Sequence, residues 1–164
     1  PPLVRNPGKL DALAWSLRMR WYAWRAPEGP GQPSPNVRLF VLFHDPEVSP
    51  SLPHSVGLTS GLIGVIHAFA SHAQHGSNEF IIAHELMHTV GANDRYDLAT
   101  NQPLFPEGYA EPELDPLLPQ RKAEIMGGRI PITQRRSEIP YSLEEVIVGP
   151  ITAREIAWTP RRSR

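Results

Sequence analysis

Residues 77–91 read SNEFIIAHELMHTVG and carry the strongest structural signal in the chain. Ser77 and Asn78 are both residue types that cap helix N-termini, and a glycine such as Gly91 commonly follows the end of a helix. Apolar residues fill most of the positions between them. The segment therefore predicts an apolar helix that begins at Ser77 or Asn78 and runs to Gly91.

Two histidines of this predicted helix lie on one face, because residues four apart in a helix stand one above the other. His84 and His88 can therefore share one metal ion. Glu85 lies about 100° around the helix axis, where it can reach a metal-bound water without binding the metal. The chain has no cysteine, so any metal must be held by histidines and carboxylates. This H-E-x-x-H arrangement is that of zinc peptidases, with the glutamate as general base.

The surrounding residues extend the pattern to His84-Glu85-x-x-His88-x-x-Gly91-x-x-Asp94. It resembles the elongated motif of metzincin-type zinc peptidases in its Asp variant, in which the glycine turns the chain and returns a third ligand. Ile125-Met126-Gly127 resembles the Met-turn beneath the metal of that family. The resemblance covers residues 77–128. It implies an α+β, zincin-like fold with a small twisted mixed sheet, an N-terminal helix, an active-site helix and an irregular Pro-rich C-terminal subdomain.

The third metal ligand has two candidates. Asp94 occupies the position that the elongated motif assigns to it. Glu124 lies on a predicted helix at residues 120–126, and zincins of the thermolysin-like branch take a glutamate from a second helix downstream. Three protein ligands with one open position are what a catalytic zinc ion requires, and either carboxylate completes such a set.

A closer resemblance is to the C-terminal metallopeptidase extensions of some VgrG spike proteins of the bacterial type VI secretion system. It rests on residues 84–97, 108–112, 119–120 and 123–126. The resemblance implies a Zn²⁺-dependent effector domain that is secreted and delivered to the periplasm of a target cell. Its implied partners are the parent spike protein and a cognate immunity protein. A chain that begins at Pro1 fits a piece excised from a longer protein.

The remaining pattern predicts one domain, with the sheet and active-site helix in residues 1–91 and a C-terminal subdomain in residues 92–164. Apolar residues at steps of three and four predict an N-terminal helix whose buried face carries Leu10, Leu13, Leu17, Trp21 and Trp24. Within residues 56–70, Gly57, Gly61 and Gly64 predict bends or close approaches. The other predicted elements are a strand at 37–43, one or two strands within 56–70, an irregular segment at 94–119 and a short helix at 151–158.

Composition excludes several functional classes. Sixteen basic and seventeen acidic residues give a net charge of −1, which argues against a general nucleic-acid or anionic-membrane binder. No apolar run reaches the ~20 residues of a membrane-spanning helix. The motifs of serine hydrolases, nucleotide hydrolases and dinucleotide enzymes are missing.

Several residues are candidates for contacts to a substrate or an oxyanion: His67, Tyr96, Tyr109 and Tyr141. His67 lies in an apolar run, where a core histidine is the commoner case. His72 and His75 are candidates for a second ion, although a solvated loop is the simpler interpretation. The strand within residues 61–70 is expected to be the sheet edge that pairs with an extended peptide.

These observations predict a zinc-dependent endopeptidase that acts on a peptide or protein substrate with a metal-activated water. A zinc-stabilised module that binds peptides without cleaving them is the main alternative. Glu85 argues against it, because a structural zinc site usually closes its fourth position with a protein ligand. A zinc hydrolase of small amides is a further alternative.

Overall fold

The computed structural model describes residues 9–26, 36–58 and 62–158. These residues form a mixed α+β structure, which confirms the predicted class. Its helices are α1 (Lys9–Arg25), α2 (His75–Thr89) and α3 (Pro150–Glu155). Its strands are β1 (Arg38–His44), β2 (Val56–Leu58), β3 (Ile63–Phe69), β4 (Ala123–Glu124), β5 (Ile130–Thr133), β6 (Arg136–Glu138) and β7 (Val146–Ile147).

The N-terminal strands form a three-stranded sheet in the order β1-β3-β2. Strand β3 pairs in parallel with β1 and antiparallel with β2, so the sheet is mixed. The strand predicted at residues 37–43 is confirmed as β1, and residues 56–70 supply two strands. The expectation that the strand within residues 61–70 is a sheet edge is wrong, because β3 is paired on both sides. The edges of the described sheet are β1 and β2.

Helix α1 packs against this sheet through Trp15, Met19 and Ala23, which cluster with Ile63 of β3. The predicted buried face of α1 is wrong, since those side chains are exposed: Leu10 81%, Leu13 57%, Leu17 57%, Trp21 56% and Trp24 78%. The helix carries two apolar stripes. Periodicity detects both but does not determine which of them meets the sheet.

Helix α2 lies against the β2–β3 pair, where Gly57 allows it to approach closely. At Gly64 the close neighbour is the Leu39 side chain of β1, 2.6 Å from where a Cβ atom would lie. Gly57 and Gly64 are opposite each other in the antiparallel register. A Cβ atom at Gly57 would lie only 2.8 Å from the carbonyl oxygen of Glu85 and 2.5 Å from the Cβ of His88. The predicted close approach is confirmed at these two positions, and Gly61 lies outside the described residues.

The predicted start of α2 is wrong. The helix begins at His75, two residues before the first predicted cap, and Gln74 precedes it. Ser77 and Asn78 bind other segments instead: the Ser77 hydroxyl donates to the Pro140 carbonyl, and the Asn78 amide pairs with the backbone N–H and carbonyl of Phe69. The side chains of Ser77 and Asn78 therefore bind distant segments of the chain instead of capping the helix.

The C-terminal part is largely irregular. Residues 94–119 form isolated bridges rather than strands, as predicted, and α3 confirms the predicted final helix. The helix predicted at residues 120–126 is wrong, because Ala123–Glu124 form β4 and Ile125–Gly127 form a 3-10 turn. A buried cluster of Phe80, Ala92, Ile125 and Met126 joins this turn to α2. None of the described helices is long and apolar enough to cross a membrane.

Candidate metal centre

Three side chains converge at the C-terminal half of α2. His84, His88 and Asp94 each offer one ligand atom, and these atoms all lie within 4.8 Å of one another. The Asp94 Oδ1 atom is 3.2 Å from His84 Nε2 and 3.1 Å from His88 Nε2. The His84 ring is buried, whereas one third of the Asp94 side chain is exposed. The group is therefore held on the protein side and open toward solvent.

Backbone carbonyls fix the protonation of both rings. His84 Nδ1 lies 2.8 Å from the Ile125 carbonyl oxygen, and His88 Nδ1 lies 2.9 Å from that of Ala92. A carbonyl oxygen can only accept, so each Nδ1 carries the hydrogen and each neutral ring keeps a lone pair on Nε2. Carbonyl partners of this kind are usual for histidines that bind metals.

The convergent atoms fit a cation. Two Nε2 lone pairs and a carboxylate oxygen meet there, and Asp94 Oδ1 is buried without a hydrogen bond from any described residue. Burial opposes ionisation of Asp94, but its contacts with His84 and His88 outweigh burial and lower the pKa of its carboxyl. A lowered pKa favours the ionised form of Asp94, which is the form that a metal ligand requires.

A sharp turn brings Asp94 back to the helix. Gly91 has a φ of +106°, a conformation that glycine adopts without strain, so the chain reverses directly after α2. The Arg95 N–H then donates to the Met126 carbonyl. The Glu155 carboxylate accepts hydrogen bonds from both Asn93 and Arg95. The residues on either side of Asp94 are thus fixed to the turn at Met126 and to α3.

Glu124, the other candidate ligand, is not part of this group. Its side chain is buried, and both carboxylate oxygens are occupied by donors. Oε2 accepts from the N–H groups of Met126 and Gly127, and Oε1 accepts from the Gly149 N–H and the Thr152 hydroxyl. Glu124 therefore caps the turn whose Ile125 carbonyl orients His84. It shapes the site without reaching it.

Glu85 lies beside the metal group and lines an adjacent cleft of about 240 Å³. Its Oε2 atom is buried and has no hydrogen-bond partner among the described residues. Burial raises the pKa of Glu85, although His84 and His88 oppose the shift. A buried carboxylate with a free oxygen and a raised pKa is suited to accept a proton and release it again.

Of the four residues predicted to contact a substrate or an oxyanion, two line the cleft and two do not. His67 and Tyr96 line it, and burial together with the nearby Asp94 carboxylate raises the pKa of Tyr96 to about 12. His67 Nδ1 lies 2.8 Å from His44 Nε2, and burial and that neighbour lower the pKa of His67. Tyr109 packs on Phe105 outside the cleft, and Tyr141 is 75% exposed. Neither tyrosine lines the cleft.

A second metal site at His72 and His75 receives no support. His75 pairs with Glu79 one turn along the helix at 3.2 Å. Within the described ranges, His84, His88 and Asp94 are the single group of three or more side chains suited to a metal. Both histidines are exposed, as expected, but they lie in a 3-10 turn (His72–Gln74) and at the start of α2 rather than in a loop.

One residue that lines the cleft was not predicted from the sequence. Arg129, directly after Gly127-Gly128, lines the cleft near Tyr96. The only local signal is an arginine that follows a glycine pair close to the Met-turn-like segment, which is too common a pattern to single out a site.

Comparisons of the chain with protein-family models, with curated proteins and with solved structures find no match. The chemistry of the site is therefore inferred from its own geometry. That geometry combines three potential metal ligands, a neighbouring buried carboxylate with a free oxygen, and an open cleft that contacts both.

Proposed function

We propose that this chain is a zinc-dependent endopeptidase with a zincin-like fold. The observation that carries the proposal is the convergence of two Nε2 atoms and one carboxylate oxygen directly beside the unpartnered Glu85 oxygen. A structural metal site has no need of a free buried carboxylate at its side. A hydrolytic site does, because a water must lose a proton there.

The ligand set and its spacing support the choice of zinc. Imidazole nitrogen and carboxylate oxygen bind zinc at about 2.0–2.1 Å, so two such ligands on a tetrahedral ion lie roughly 3.3 Å apart. The observed separations of Asp94 Oδ1 from the two ring nitrogens are 3.2 and 3.1 Å. Three protein ligands also leave a fourth position for water, the pattern of catalytic zinc.

The residues of the chain divide the chemistry among them. Zinc, when bound, supplies Lewis-acid activation of water and of the scissile carbonyl. Glu85 takes the proton from the attacking water and passes it to the leaving amine, acting as base and then as acid. Ile125 and Ala92 hold the two imidazoles in the required tautomer.

The substrate is a peptide that binds in an extended form along β2. This strand is at the edge of the described sheet, and its Gly57 lies against α2 at Glu85 and His88. Residues 52–55, which lead into β2, line the cleft. Pairing with the edge of β2 would lay a peptide across the metal group through main-chain hydrogen bonds. Strand β2 thus replaces β3 in the role expected from the sequence.

The zincin-like assignment and the biological setting are supported by the resemblances of residues 77–128. The turn Ile125–Gly127 packs under α2 with Met126 fully buried, which suits the role of a Met-turn. By the resemblance to VgrG extensions, the domain is a secreted effector delivered to the periplasm of a target cell. Its parent spike protein and an immunity protein would be its partners.

The test is substitution of Glu85 by glutamine in the zinc-loaded protein. We expect zinc to stay bound at one ion per chain and hydrolysis of a quenched fluorescent peptide library to fall about 1,000-fold. Glu79→Gln, an exposed position on the same helix, is the matched control and should leave the rate unchanged.

Cleavage by Glu85→Gln at the rate of the unsubstituted protein would exclude Glu85 as the base. If the unsubstituted protein binds zinc and peptides but cleaves none of the library, it is a peptide-binding module. If it hydrolyses only small amides, it belongs to the other class of zinc hydrolase.

A further inference from the structure

The cleft is also lined by an arginine, Arg129, on a firmly held stretch of backbone. Arg129 follows Gly128, which adopts a left-handed conformation with a φ of +75° and lies against the Tyr96 ring. It precedes Ile130, a buried residue that begins β5. The Gly128 N–H donates to the Glu124 carbonyl, which fixes the turn further. The Arg129 side chain is therefore presented to the cleft from a fixed base.

Arg129 has no ion-pair partner among the described residues, although its charge acts on the nearby Tyr96. Other arginines of this region are paired: Arg95 with Glu107 and Glu155, and Arg136 with Glu138. Arg129 is partly buried, yet it forms neither an ion pair nor a hydrogen bond to any described side chain. The carboxylate that lines the same cleft, Glu85, is the proposed catalytic base. Partial burial of an unpaired guanidinium costs free energy that a ligand carboxylate would recover.

We propose, on the basis of the proposed function, that Arg129 selects peptide substrates by binding a carboxylate. A planar guanidinium on a fixed backbone suits bidentate hydrogen bonding to a carboxylate. Arg129 would bind that carboxylate beside the cleaved bond. The carboxylate belongs either to an Asp or Glu side chain of the peptide or to its C-terminus. Both sources present the same chemistry to Arg129.

A binding experiment tests this without requiring cleavage. Zinc-loaded protein carrying Glu85→Gln is titrated with fluorescent octapeptide pools in which one position is fixed as Glu or as Gln and the others are randomised among residues other than Asp and Glu. Each pool is made with a free C-terminal carboxylate and with an amidated C-terminus. Fluorescence anisotropy gives the Kd of every pool with and without the additional substitution Arg129→Gln.

We expect a carboxylate to tighten binding about tenfold when it is correctly placed. A Glu preference at one internal position identifies a side chain as the source, whereas a preference for the free C-terminus over the amide identifies the terminal carboxylate. Arg129→Gln should abolish the preference and leave the Kd of carboxylate-free pools within about twofold. Arg135→Gln, the same change at an exposed position of the β5–β6 turn, should preserve it.

Equal binding of acidic and neutral pools, or a preference that survives Arg129→Gln, would overturn the inference. So would an Arg129→Gln variant with intact Glu85 that loses kcat equally on acidic and neutral peptides, because that result assigns Arg129 to the transition state. Failure of the proposed function is a separate result. In that case the protein with intact Glu85 cleaves no peptide, whether or not the peptide binds.

Discussion

Asp94 and Glu124 are both buried or partly buried carboxylates of the C-terminal part, and they are used in opposite ways. Each Glu124 oxygen accepts two hydrogen bonds, from four donors that the surrounding chain supplies. The Asp94 Oδ1 atom accepts none from the described residues and lies 3.2 and 3.1 Å from the Nε2 atoms of His84 and His88. The comparison shows that a carboxylate side chain is available to bind a metal only if other donors do not already occupy its oxygens. A carboxylate whose oxygens are saturated by N–H and O–H donors has no electron pair left to offer a metal.

The largest effect is expected from Glu124→Ala in the metal-free protein. Four buried donors would lose their acceptor, so we expect the free energy of unfolding to fall by about 4 kcal/mol. Urea denaturation in the presence of a chelator measures this without the contribution of bound metal. If the loss is below about 1 kcal/mol, water or other acceptors replace the carboxylate, and its structural role is wrong.

Glu124→Gln keeps the shape and one acceptor oxygen, so it is the milder variant for testing the same residue. It should lower stability less than alanine does, and the folded protein should still bind zinc with nearly unchanged affinity. Severe loss of zinc affinity in a folded Glu124→Gln protein would reverse the comparison between the two carboxylates.

The next largest effect is expected from Asp94→Ala. Removal of one of three ligands should weaken zinc binding by at least about 100-fold, because even partners of ligands contribute 10–100-fold. Competition with a chromophoric chelator gives the affinity, and circular dichroism verifies the fold. Unchanged affinity in Asp94→Ala would exclude this residue as a ligand.

A smaller effect is expected from Glu155→Gln, which loosens the residues flanking Asp94. Burial opposes ionisation of Glu155, but hydrogen bonds from Asn93 and the charge of Arg95 lower its pKa. Zinc affinity should fall no more than about tenfold, because Asp94 itself remains. Zinc affinity equal to that of the unsubstituted protein would show that Asp94 is positioned by the Gly91 turn alone.

The contribution of Glu155 to the free energy of unfolding should decrease as the pH falls. Since folding lowers the pKa of Glu155, its stabilising effect is complete above the ordinary glutamate pKa of about 4.3 and is lost as the pH falls through the lower, folded-state pKa. The difference in unfolding free energy between Glu155→Gln and the unsubstituted protein should therefore be constant near neutrality and shrink in acid. A difference that grows in acid would contradict this assignment.

Prediction from sequence succeeded where local geometry is sufficient. Helical spacing alone places His84 and His88 on one face, and the glycine at position 91 allows the chain to return. It failed where the outcome depends on distant groups. The side chain of Asn78 suits a helix cap, but it pairs with the backbone of Phe69. The outward stripe of α1 is as apolar as the inward one, so only the position of the sheet distinguishes them.

The amino-acid sequence by itself determined the α+β class, the helix that carries the two imidazoles and the acid between them, because these follow from contacts within a few residues. Tertiary structure decided which carboxylate joins the histidines. It did so by placing Gly149 and Thr152 against Glu124, far along the chain, and by bringing Asp94 Oδ1 to 3.2 and 3.1 Å from the two imidazole Nε2 atoms. It also set β2 at the sheet edge and Arg129 in the cleft. Hydrogen-bond saturation and strand order depend on the whole fold, and no short segment encodes them.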